Sequence, residues 1–284
     1  MTFSNTAVAN ALLCTVCAAG SPLMLSRPEG SLYRCPACDH CFTDPNSVPE
    51  PEDYGADYYD VKHRNWFENP NIALFTFIQN QIKKLKPEAA VLDVGCGRGD
   101  FLKFLRGRDR ALKLTGIDFT TNQPADGITF IKGDALTHAF GQKFDAVITL
   151  AVIEHVADIH SFVKGLRALC ANGGVVAIMT VNDRSVLYGV ARLIHWFGLK
   201  GPFNRLYEKH HLNHFNLQSL RRLVEMHGLR VTTLHCHDIP LTAVDFEANS
   251  KLSGLVMRVG VCGIFTLGKL LGRTYLQTLV CAPV

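Results

Sequence analysis

A glycine-rich bend constrains this chain more than any other feature. Residues 89–94 form a largely apolar run, typical of a strand buried in a parallel sheet. Gly95, Gly97 and Gly99 follow at every second position, and Asp100–Arg106 has the pattern of a helix. Glycines let a backbone turn sharply and approach a ligand closely, and amides at a helix start can hold an anion. The G-x-G-x-G spacing differs from the G-x-G-x-x-G of dinucleotide sites, and alone it also fits a plain strand-to-helix turn.

Short apolar runs and helical segments alternate along the rest of the chain. The predicted strands are residues 89–94, 112–117, 128–131, 144–150, 174–181, 229–236 and 275–281, and the predicted helices are residues 71–86, 100–106, 160–170 and 217–227. The hydrophobic fraction of 48% permits a sizeable core and excludes disorder as the main state. The alternation predicts an α/β fold, with a parallel sheet covered by helices on both faces.

Acidic side chains stand where successive strands end. Asp118 ends the second strand, 21 residues after Gly97, where a carboxylate can accept hydrogen bonds from both hydroxyls of a ribose. Asp134 and Ala135 follow the third strand, where a carboxylate can reach an adenine amino group. The fourth strand leads into the step 150–155, Leu-Ala-Val-Ile-Glu-His. These strand ends predict a ligand crevice at the carboxyl edge of the sheet.

This ordered set of motifs resembles the class I S-adenosylmethionine-dependent methyltransferases, with their Asp-x-Gly-x-Gly-x-Gly loop and Glu-His-Val step. The resemblance covers about residues 55–284 and implies a Rossmann-like, seven-stranded sheet whose last strand is antiparallel, with residues 228–231 and 274–281 in the final hairpin. It implies that the cofactor is bound by Asp93, Gly95, Gly97 and Gly99 at the methionine end, Asp118 at the ribose, Asp134 and Ala135 at the adenine, and Leu150 and Ala151 at the sulfonium. Only residues 119–129 separate the second strand from Phe130, so the second crossover helix is predicted to be vestigial.

The N-terminal residues 1–45 carry two C-x2-C pairs separated by 17 residues. Four thiolates at this spacing predict a zinc ribbon, with Cys14, Cys17, Cys35 and Cys38 as the ligands. Cys41 ranks below these four, and a coincidental or unloaded set is the alternative. Because so short a segment has little core of its own, the zinc is predicted to be structural. Some of the resembled enzymes also begin with a ribbon followed by a tyrosine-rich linker.

The predicted domains are therefore a ribbon at 1–45, a linker and cofactor-capping segment at 46–70, and a methyltransferase domain at 71–284. Tyr58 or Tyr59 in the linker is a candidate to cover the cofactor, and ordinary packing is the alternative. Residues 183–214 contain an apolar insertion that we expect to act as a lid over a lipid-like, aromatic or otherwise apolar acceptor. The alternative is that this insertion packs on the body or on a second subunit.

The net charge and the N-terminal residues bear on which partners the protein binds and where in the cell it acts. The net charge of +4 is mild and the ribbon has few basic residues, which predicts no nucleic-acid partner. The first residues lack a signal-peptide pattern, so a reducing, cytoplasmic setting is expected. Residues 252–272 are apolar enough to suggest a membrane span, but they contain Arg258, Lys269 and five glycines. A buried or interfacial helix, with peripheral contact to a membrane surface, is the favoured interpretation.

The candidate catalytic residues are the histidines His155, His211 and His214. A sulfonium methyl group is already electrophilic, so an enzyme mainly aligns the acceptor and removes a proton, for which histidine is suited. The alternatives are that His155 with Glu154 caps the next helix, and that His211 or His214 tethers a loop. Some resembled enzymes bind a metal at Glu-x-x-Glu-His, but Ala151 occupies the first position here, and no catalytic metal is predicted.

The predicted function is S-adenosylmethionine-dependent methylation of a small-molecule or lipid-linked acceptor, on oxygen, by in-line transfer. A scaffold or sensor that binds S-adenosylmethionine without turnover is the alternative. A nicotinamide oxidoreductase is disfavoured by the loop spacing, and an RNA methyltransferase by the modest charge. The acceptor and the oligomeric state are left open.

Overall fold

The computed structural model of the chain describes residues 11–48, 68–120, 123–244 and 251–284. Most of the predicted linker, including Tyr58 and Tyr59, lies outside the described residues.

The described chain contains strands, helices and three short 3-10 helices. The strands are β1 (Leu12–Leu13), β2 (Gly20–Ser21), β3 (Leu23–Leu25), β4 (Leu32–Arg34), β5 (Cys41–Thr43), β6 (Ala90–Val94), β7 (Lys113–Asp118), β8 (Ile128–Lys132), β9 (Phe144–Leu150), β10 (Cys170–Val181), β11 (Asn213–His214), β12 (Leu229–His237) and β13 (Leu276–Pro283). The helices are α1 (Ile72–Ile82), α2 (Asp100–Arg106), α3 (Ile159–Leu169), α4 (Val186–Trp196), α5 (Gly201–Leu206), α6 (Leu217–Met226) and α7 (Lys251–Leu270). The 3-10 helices are Pro45–Ser47, Ile153–His155 and Leu241–Ala243.

Seven strands form one mixed sheet in the order β12-β13-β10-β9-β6-β7-β8. Only β13 runs antiparallel to its neighbours β10 and β12, so the predicted sheet and its antiparallel last strand are confirmed. Most predicted strands and helices match to within a few residues. The largest differences are four residues: α1 ends at Ile82 rather than residue 86, and β10 begins at Cys170 rather than residue 174. Strand β10 starts early because a register shift between Cys170 and Val175 lets it pair with β9 on both sides of the irregularity.

Strand β6 shows why both faces of the sheet are covered. All five of its residues are buried, and alternate side chains of a strand point to opposite faces. Leu92 belongs to the core beneath α3 and α6, whereas Val91 belongs to the core beneath α1 and α2. The predicted layers of helices on both faces are therefore confirmed. The described residues of the β7–β8 connection contain no helix, as its length leads one to expect.

The N-terminal segment adds a smaller sheet to the main body. Its four strands have the order β11-β5-β4-β3, so the edge strand β11 comes from the far side of the chain. Asn213 pairs with Phe42 and His214 with Cys41. The hydrophobic core beneath α3 and α6 also includes Tyr33 of this segment. The ribbon segment is thus joined to the body both by backbone pairing and by shared core packing.

Helix α7 lies on the surface rather than in the core. Phe265 is buried against the body, whereas most described residues of this helix are exposed. Of the two interpretations considered for residues 252–272, the buried one is therefore wrong. Among the described residues, no helix has both the length and the apolar character needed to cross a membrane.

Candidate functional site

The glycine loop makes a tight cradle at the carboxyl end of β6. Gly95, Gly97 and Gly99 have φ values of +72°, +50° and +75°, a left-handed region that glycine enters without a steric penalty. A Cβ on Gly95 would collide with Val152, and a Cβ on Gly99 would lie 2.6 Å from Cζ of Phe130. The loop is thus packed between the step after β9 and the strand β8, and side chains at Gly95 and Gly99 would clash with Val152 and Phe130.

Asp93, at the end of β6, is a buried acid that lacks a hydrogen-bond partner on one oxygen. Its side chain is buried, and Oδ1 meets no hydrogen-bond donor among the described residues. Burial, together with the charge of Asp118, raises the pKa of Asp93 to about 8. An unpaired buried carboxyl oxygen is costly. A cationic ligand group would satisfy it, so the residues present fit the positively charged end of S-adenosylmethionine.

Asp118 ties the glycine loop to the neighbouring strands. Its Oδ2 accepts a hydrogen bond from the Gly97 amide at 2.9 Å. Its Oδ1 accepts from the amide and hydroxyl of Thr120, at 2.9 Å and 2.8 Å. Its own carbonyl accepts from the Gly133 amide at 2.9 Å, which brings in the end of β8. The predicted ribose-binding acid therefore adjoins both the loop and the predicted adenine-binding segment.

The remaining predicted cofactor residues line the same edge. The Asp134 Oδ1 accepts a hydrogen bond from the Leu136 amide at 2.8 Å and so caps the turn that follows β8. Ala135 is buried beside it. Leu150 ends β9, and Ala151 follows with a φ of +56°, unusual for a residue other than glycine. The Ala151 amide donates to the Met179 carbonyl at 3.0 Å. We name the space bordered by Asp93, residues 95–99, Asp118, residues 133–135 and residues 150–151 the cofactor crevice.

The step after β9 meets the histidine-rich loop, residues 207–214, which lies between α5 and α6. The His155 Nδ1 donates to the His210 carbonyl at 2.9 Å, which leaves the lone pair on Nε2. The rings of His155 and His211 are 4.7 Å apart, and the His211 Nε2 lies 3.2 Å from a Glu208 carboxyl oxygen. Burial lowers the pKa of His155 to about 3, so this ring is neutral at physiological pH.

Glu154 completes a compact group with these two histidines. It is buried, its Oε2 accepts from the Thr180 hydroxyl at 2.8 Å, and burial raises its pKa to about 7. One ligand atom from each of Glu154, His155 and His211 lies within 4.8 Å of the others, close enough to share an ion. Ala151 still replaces the acid found in the resembled metal-binding set, so the absence of a catalytic metal stays a prediction.

His214 occupies a different environment. Its side chain is fully buried, and its Nε2 lies 3.3 Å from the Thr43 hydroxyl of the ribbon segment. Its backbone pairs with Cys41 in the small sheet. The structure therefore places His214 at the contact between ribbon and body, in the position of the loop tether that was the alternative interpretation.

The four predicted zinc ligands converge in the N-terminal segment. The Sγ atoms of Cys14 and Cys38 are 3.6 Å apart, those of Cys17 and Cys35 are 3.5 Å apart, and all four lie within 4.8 Å of one another. Four converging thiols are the donor set of a structural zinc site, so these residues fit the ion. Cys41 is buried elsewhere and does not belong to this group.

The two cysteine pairs have the same backbone turn. In each, the first cysteine accepts from the amide four residues on, Ala18 or Asp39, at 2.9 Å. Both of these residues have positive φ values, +57° and +58°. This repeated turn aims both sulfurs of each pair to one side, which supports the zinc-ribbon interpretation.

The sequence reasoning missed a buried polar cluster around Asp183, which we name the Asp183 junction. Asp183 is fully buried just after β10. It accepts from Arg34 of the ribbon at 2.7 Å, from Arg192 of α4 at 3.2 Å, and from the Tyr207 hydroxyl. The junction joins the ribbon to the predicted lid. The one available sequence signal was the position of Asp183 directly after a predicted strand, the same rule that found Asp118.

The fold, the site and a family profile together define the class of protein to which this chain belongs. The sheet order, the glycine cradle and the acids at the strand ends are those of a class I S-adenosylmethionine-dependent methyltransferase fold. A family profile described as a methyltransferase domain matches residues 67–234. The chain belongs to this methyltransferase-domain family.

Curated relatives match part of the chain. The chain is 31% identical over 103 residues to a ubiquinone biosynthesis O-methyltransferase of Rhizobium johnstonii, which is 32% of this chain and 41% of that protein. It is also 31% identical over 112 residues to the protein of that name in Brucella anthropi, which is 36% of this chain and 44% of the relative. The chain thus spans less than half the length of these curated relatives.

Two solved structures share the fold. One is a SAM-dependent methyltransferase from Archaeoglobus fulgidus, with a TM-score of 0.51 and 19% identity, covering 81% of this chain and 99% of that one. The other is phosphoethanolamine N-methyltransferase 2 from Haemonchus contortus with S-adenosylhomocysteine, with a TM-score of 0.56 and 15% identity, covering 83% and 62%. At these identities the likeness concerns the fold.

Proposed function

We propose that this protein transfers a methyl group from S-adenosylmethionine to an oxygen atom of a small-molecule or lipid-linked acceptor. The observation that carries the proposal is Asp93, a buried carboxyl with an unpaired oxygen beside a second acid and beneath a glycine cradle. An unpaired buried carboxyl oxygen costs free energy, and a cationic ligand would remove that cost by pairing with it. The O-methyltransferase names of the partial relatives support oxygen as the acceptor atom.

Each part of the cofactor crevice has a role in this proposal. Asp93 and the glycine loop would bind the methionine end, Asp118 the ribose, and Asp134 with Ala135 the adenine. Leu150 and Ala151 would flank the sulfonium, which supplies an activated methyl group. The Asp134 carboxylate already accepts one bond from its own turn, which leaves its second oxygen for an adenine amino group.

His155 is one candidate for the group that accepts the acceptor proton, and its pKa of about 3 makes it a weak base. Its neutral ring keeps a lone pair on Nε2 because Nδ1 is committed to the His210 carbonyl. It lies three residues beyond Val152, which packs against the glycine loop, so it is near the crevice. His211 is the second candidate, since the Glu208 carboxylate would stabilise its protonated ring. We do not carry His214 forward, because its ring is enclosed between ribbon and body.

The ribbon is proposed to hold a structural zinc ion through Cys14, Cys17, Cys35 and Cys38. A small domain with few core residues gains most of its folding free energy from such an ion. We also propose the domain limits that the sequence predicts: a ribbon at 1–45, a linker at 46–70 and a methyltransferase domain at 71–284, with a lid at 183–214. A cytoplasmic location and the absence of a nucleic-acid partner are proposed from the thiol-rich composition and the mild net charge.

Calorimetric titration with S-adenosylmethionine tests the cofactor crevice. We expect measurable binding by the wild-type chain and none by an Asp93→Ala variant, with Asp145→Ala, an acid of β9 away from the crevice, as the matched control. Equal, negligible heats for wild type and variant would overturn the assignment of this site.

Turnover is tested by incubating the protein with a native extract and an isotopically labelled methyl donor, followed by mass spectrometry. The expected product is a labelled methyl ether, with a much lower yield from His155→Ala. Binding without S-adenosylhomocysteine in any extract fraction would instead favour the scaffold or sensor. Activity lost on chelation while the zinc content is unchanged, and restored by a divalent ion, would contradict the predicted absence of a catalytic metal.

A further inference from the structure

An apolar surface extends over two neighbouring helices, α4 and α7. On and just after α4 the exposed side chains are Leu193, Trp196, Phe197 and Leu199, and on α7 they are Leu255, Val256, Val259, Leu267 and Leu270. We call these residues the α4–α7 face. Within this face, Trp196 is 77% exposed and Leu270 is 78% exposed. Contiguous apolar surface of this kind marks an interaction site.

The apolar residues of α7 lie on the side of the helix opposite the body. The residues that pack inward are Gly254, Val261, Phe265 and Gly268, at the three-, four- and seven-residue spacing of one helical face. Val256, Val259, Leu267 and Leu270 follow the same spacing about half a turn away. Arg258 and Lys269 fall along one flank between these two faces. The helix is therefore apolar outward, with cationic groups at its side.

The two segments that carry the face contain charged side chains of a single sign, and Asp238, after β12, is the acid close enough to interact with the charge of Lys269. The sequence has no Asp or Glu between residues 184 and 207, nor between 248 and 284. The same two segments contain exposed Lys200, Lys269 and Arg273. Apolar side chains in segments whose charged residues are all basic suit the boundary of an anionic lipid bilayer, where the apolar groups enter the acyl region and the basic groups meet headgroup phosphates. Trp196 is of the type enriched at that boundary.

A second copy of the chain fits this face less well. A two-fold dimer places the same patch against itself. Lys200, Lys269 and Arg273 of both copies would then gather in one interface, and neither segment supplies an acid to pair with them. An anionic surface is complementary where a self-contact is repulsive.

The face lies at the same edge of the sheet as the cofactor crevice. Helix α4 follows the carboxyl end of β10, which runs parallel to β9, and the Val186 amide donates to the Arg273 carbonyl just after α7 at 3.0 Å. We propose that the α4–α7 face docks the protein on an anionic membrane surface and so brings a lipid-embedded acceptor to the crevice. The delivery of an acceptor rests on the proposed function, whereas the docking itself does not.

Flotation of the full chain with lipid vesicles tests the docking. We expect the wild type to float with vesicles of phosphatidylcholine and phosphatidylglycerol, less with phosphatidylcholine alone, and less as salt increases. Val259→Glu/Leu270→Glu, which changes two outward residues, should weaken binding by at least about tenfold. Met226→Glu changes an exposed apolar residue on α6 and is the matched control. Lys200→Gln/Lys269→Gln should reduce the preference for anionic lipid, with Arg273 unchanged.

Three outcomes would overturn the proposal: no flotation of the wild type, equal flotation of the double glutamate variant, or a wild-type dimer in light scattering that this variant splits. Circular dichroism checks that the variant is folded. Calorimetry with S-adenosylmethionine on the same samples separates the two proposals. A chain that binds the cofactor but not vesicles contradicts only the docking, and one that binds vesicles but not the cofactor contradicts only the proposed function.

Discussion

Two buried aspartates, Asp93 in the cofactor crevice and Asp183 at the ribbon junction, show how differently two regions of this protein use charge. Asp183 is surrounded by donors from Arg34, Arg192 and Tyr207, so its charge is satisfied inside the chain. Asp93 is equally buried, but one oxygen has no donor among the described residues and its pKa is raised to about 8. The first arrangement stabilises the fold, whereas the second costs stability unless a ligand pairs with it, as our proposed function expects.

The zinc site offers the largest test of the ribbon side of this comparison. Cys38→Ser should abolish zinc binding and lower the free energy of unfolding by several kcal/mol, on the order of 5 or more, since metal binding supplies folding free energy. Because β5 pairs with β11 and the ribbon shares a core with the body, thermal unfolding of the whole chain should shift. Zinc content by mass spectrometry and calorimetric melting measure both effects.

Cys262→Ser is the matched control, because Cys262 is exposed on α7 and outside the metal group. A wild-type chain with no zinc, or a Cys38→Ser variant with unchanged melting, would contradict a structural metal.

The Asp183 junction should show the next largest effect. Asp183→Asn removes a charge that forms ion pairs with Arg34 and Arg192 and accepts a hydrogen bond from Tyr207, and it leaves buried donors unpaired. The expected loss is about 3–5 kcal/mol of unfolding free energy. Chemical denaturation measures it. Lys86→Ala, which breaks the more exposed Lys86–Asp145 pair, should cost no more than about 1 kcal/mol.

An additional change to Arg34 sharpens this test. If the cost comes from an unpaired buried arginine, Arg34→Met in the Asp183→Asn background should recover part of it. No recovery would mean that the junction does not couple ribbon and lid through this pair.

These two regions also differ in how far the sequence predicted them. The crevice depends on residues close in sequence: a strand, glycines at every second position and an acid 21 residues after Gly97. Such local patterns predicted the sheet, the loop and the cysteine pairs. The Arg34–Asp183 contact joins residues 149 apart, and the Thr43–His214 contact joins residues 171 apart. Contacts at such separations have no fixed spacing, which explains why His214 was taken for a candidate base and β11 was missed.

Asp93→Asn should affect binding and stability in opposite directions. Folding raises the pKa of Asp93 from 3.8 to about 8, so the folded protein holds a proton that the unfolded chain releases over this range. Stability from this group is therefore lost as pH rises from about 4 to about 8. The neutral asparagine avoids this loss, so the variant should exceed the wild type in unfolding free energy by about 1–3 kcal/mol at pH 8 and match it near pH 4.

The same substitution should abolish measurable binding of S-adenosylmethionine. For the wild type, binding of a cation favours the ionised Asp93, so affinity should rise with pH up to about 8 and binding should release protons. Calorimetry in two buffers of different ionisation enthalpy measures that release. A variant that is less stable than the wild type at pH 8 and still binds the cofactor would remove the distinction between the two aspartates.

The smallest test uses two alanines with left-handed backbones, one in each region. Ala151 in the crevice has a φ of +56° and Ala18 in the ribbon a φ of +57°. Glycine adopts this conformation without the Cβ penalty but loses more entropy on folding, so each Ala→Gly change should alter unfolding free energy by only about 0.5–1 kcal/mol, as a gain. Denaturation curves measure the two changes side by side. If Ala151 flanks the sulfonium, Ala151→Gly should also weaken cofactor binding, because glycine removes the methyl group and gives the backbone beside the sulfonium more conformational freedom, whereas Ala18→Gly should leave binding unchanged. Equal effects of the two substitutions on cofactor affinity would show that the strained residue in the crevice serves the fold alone.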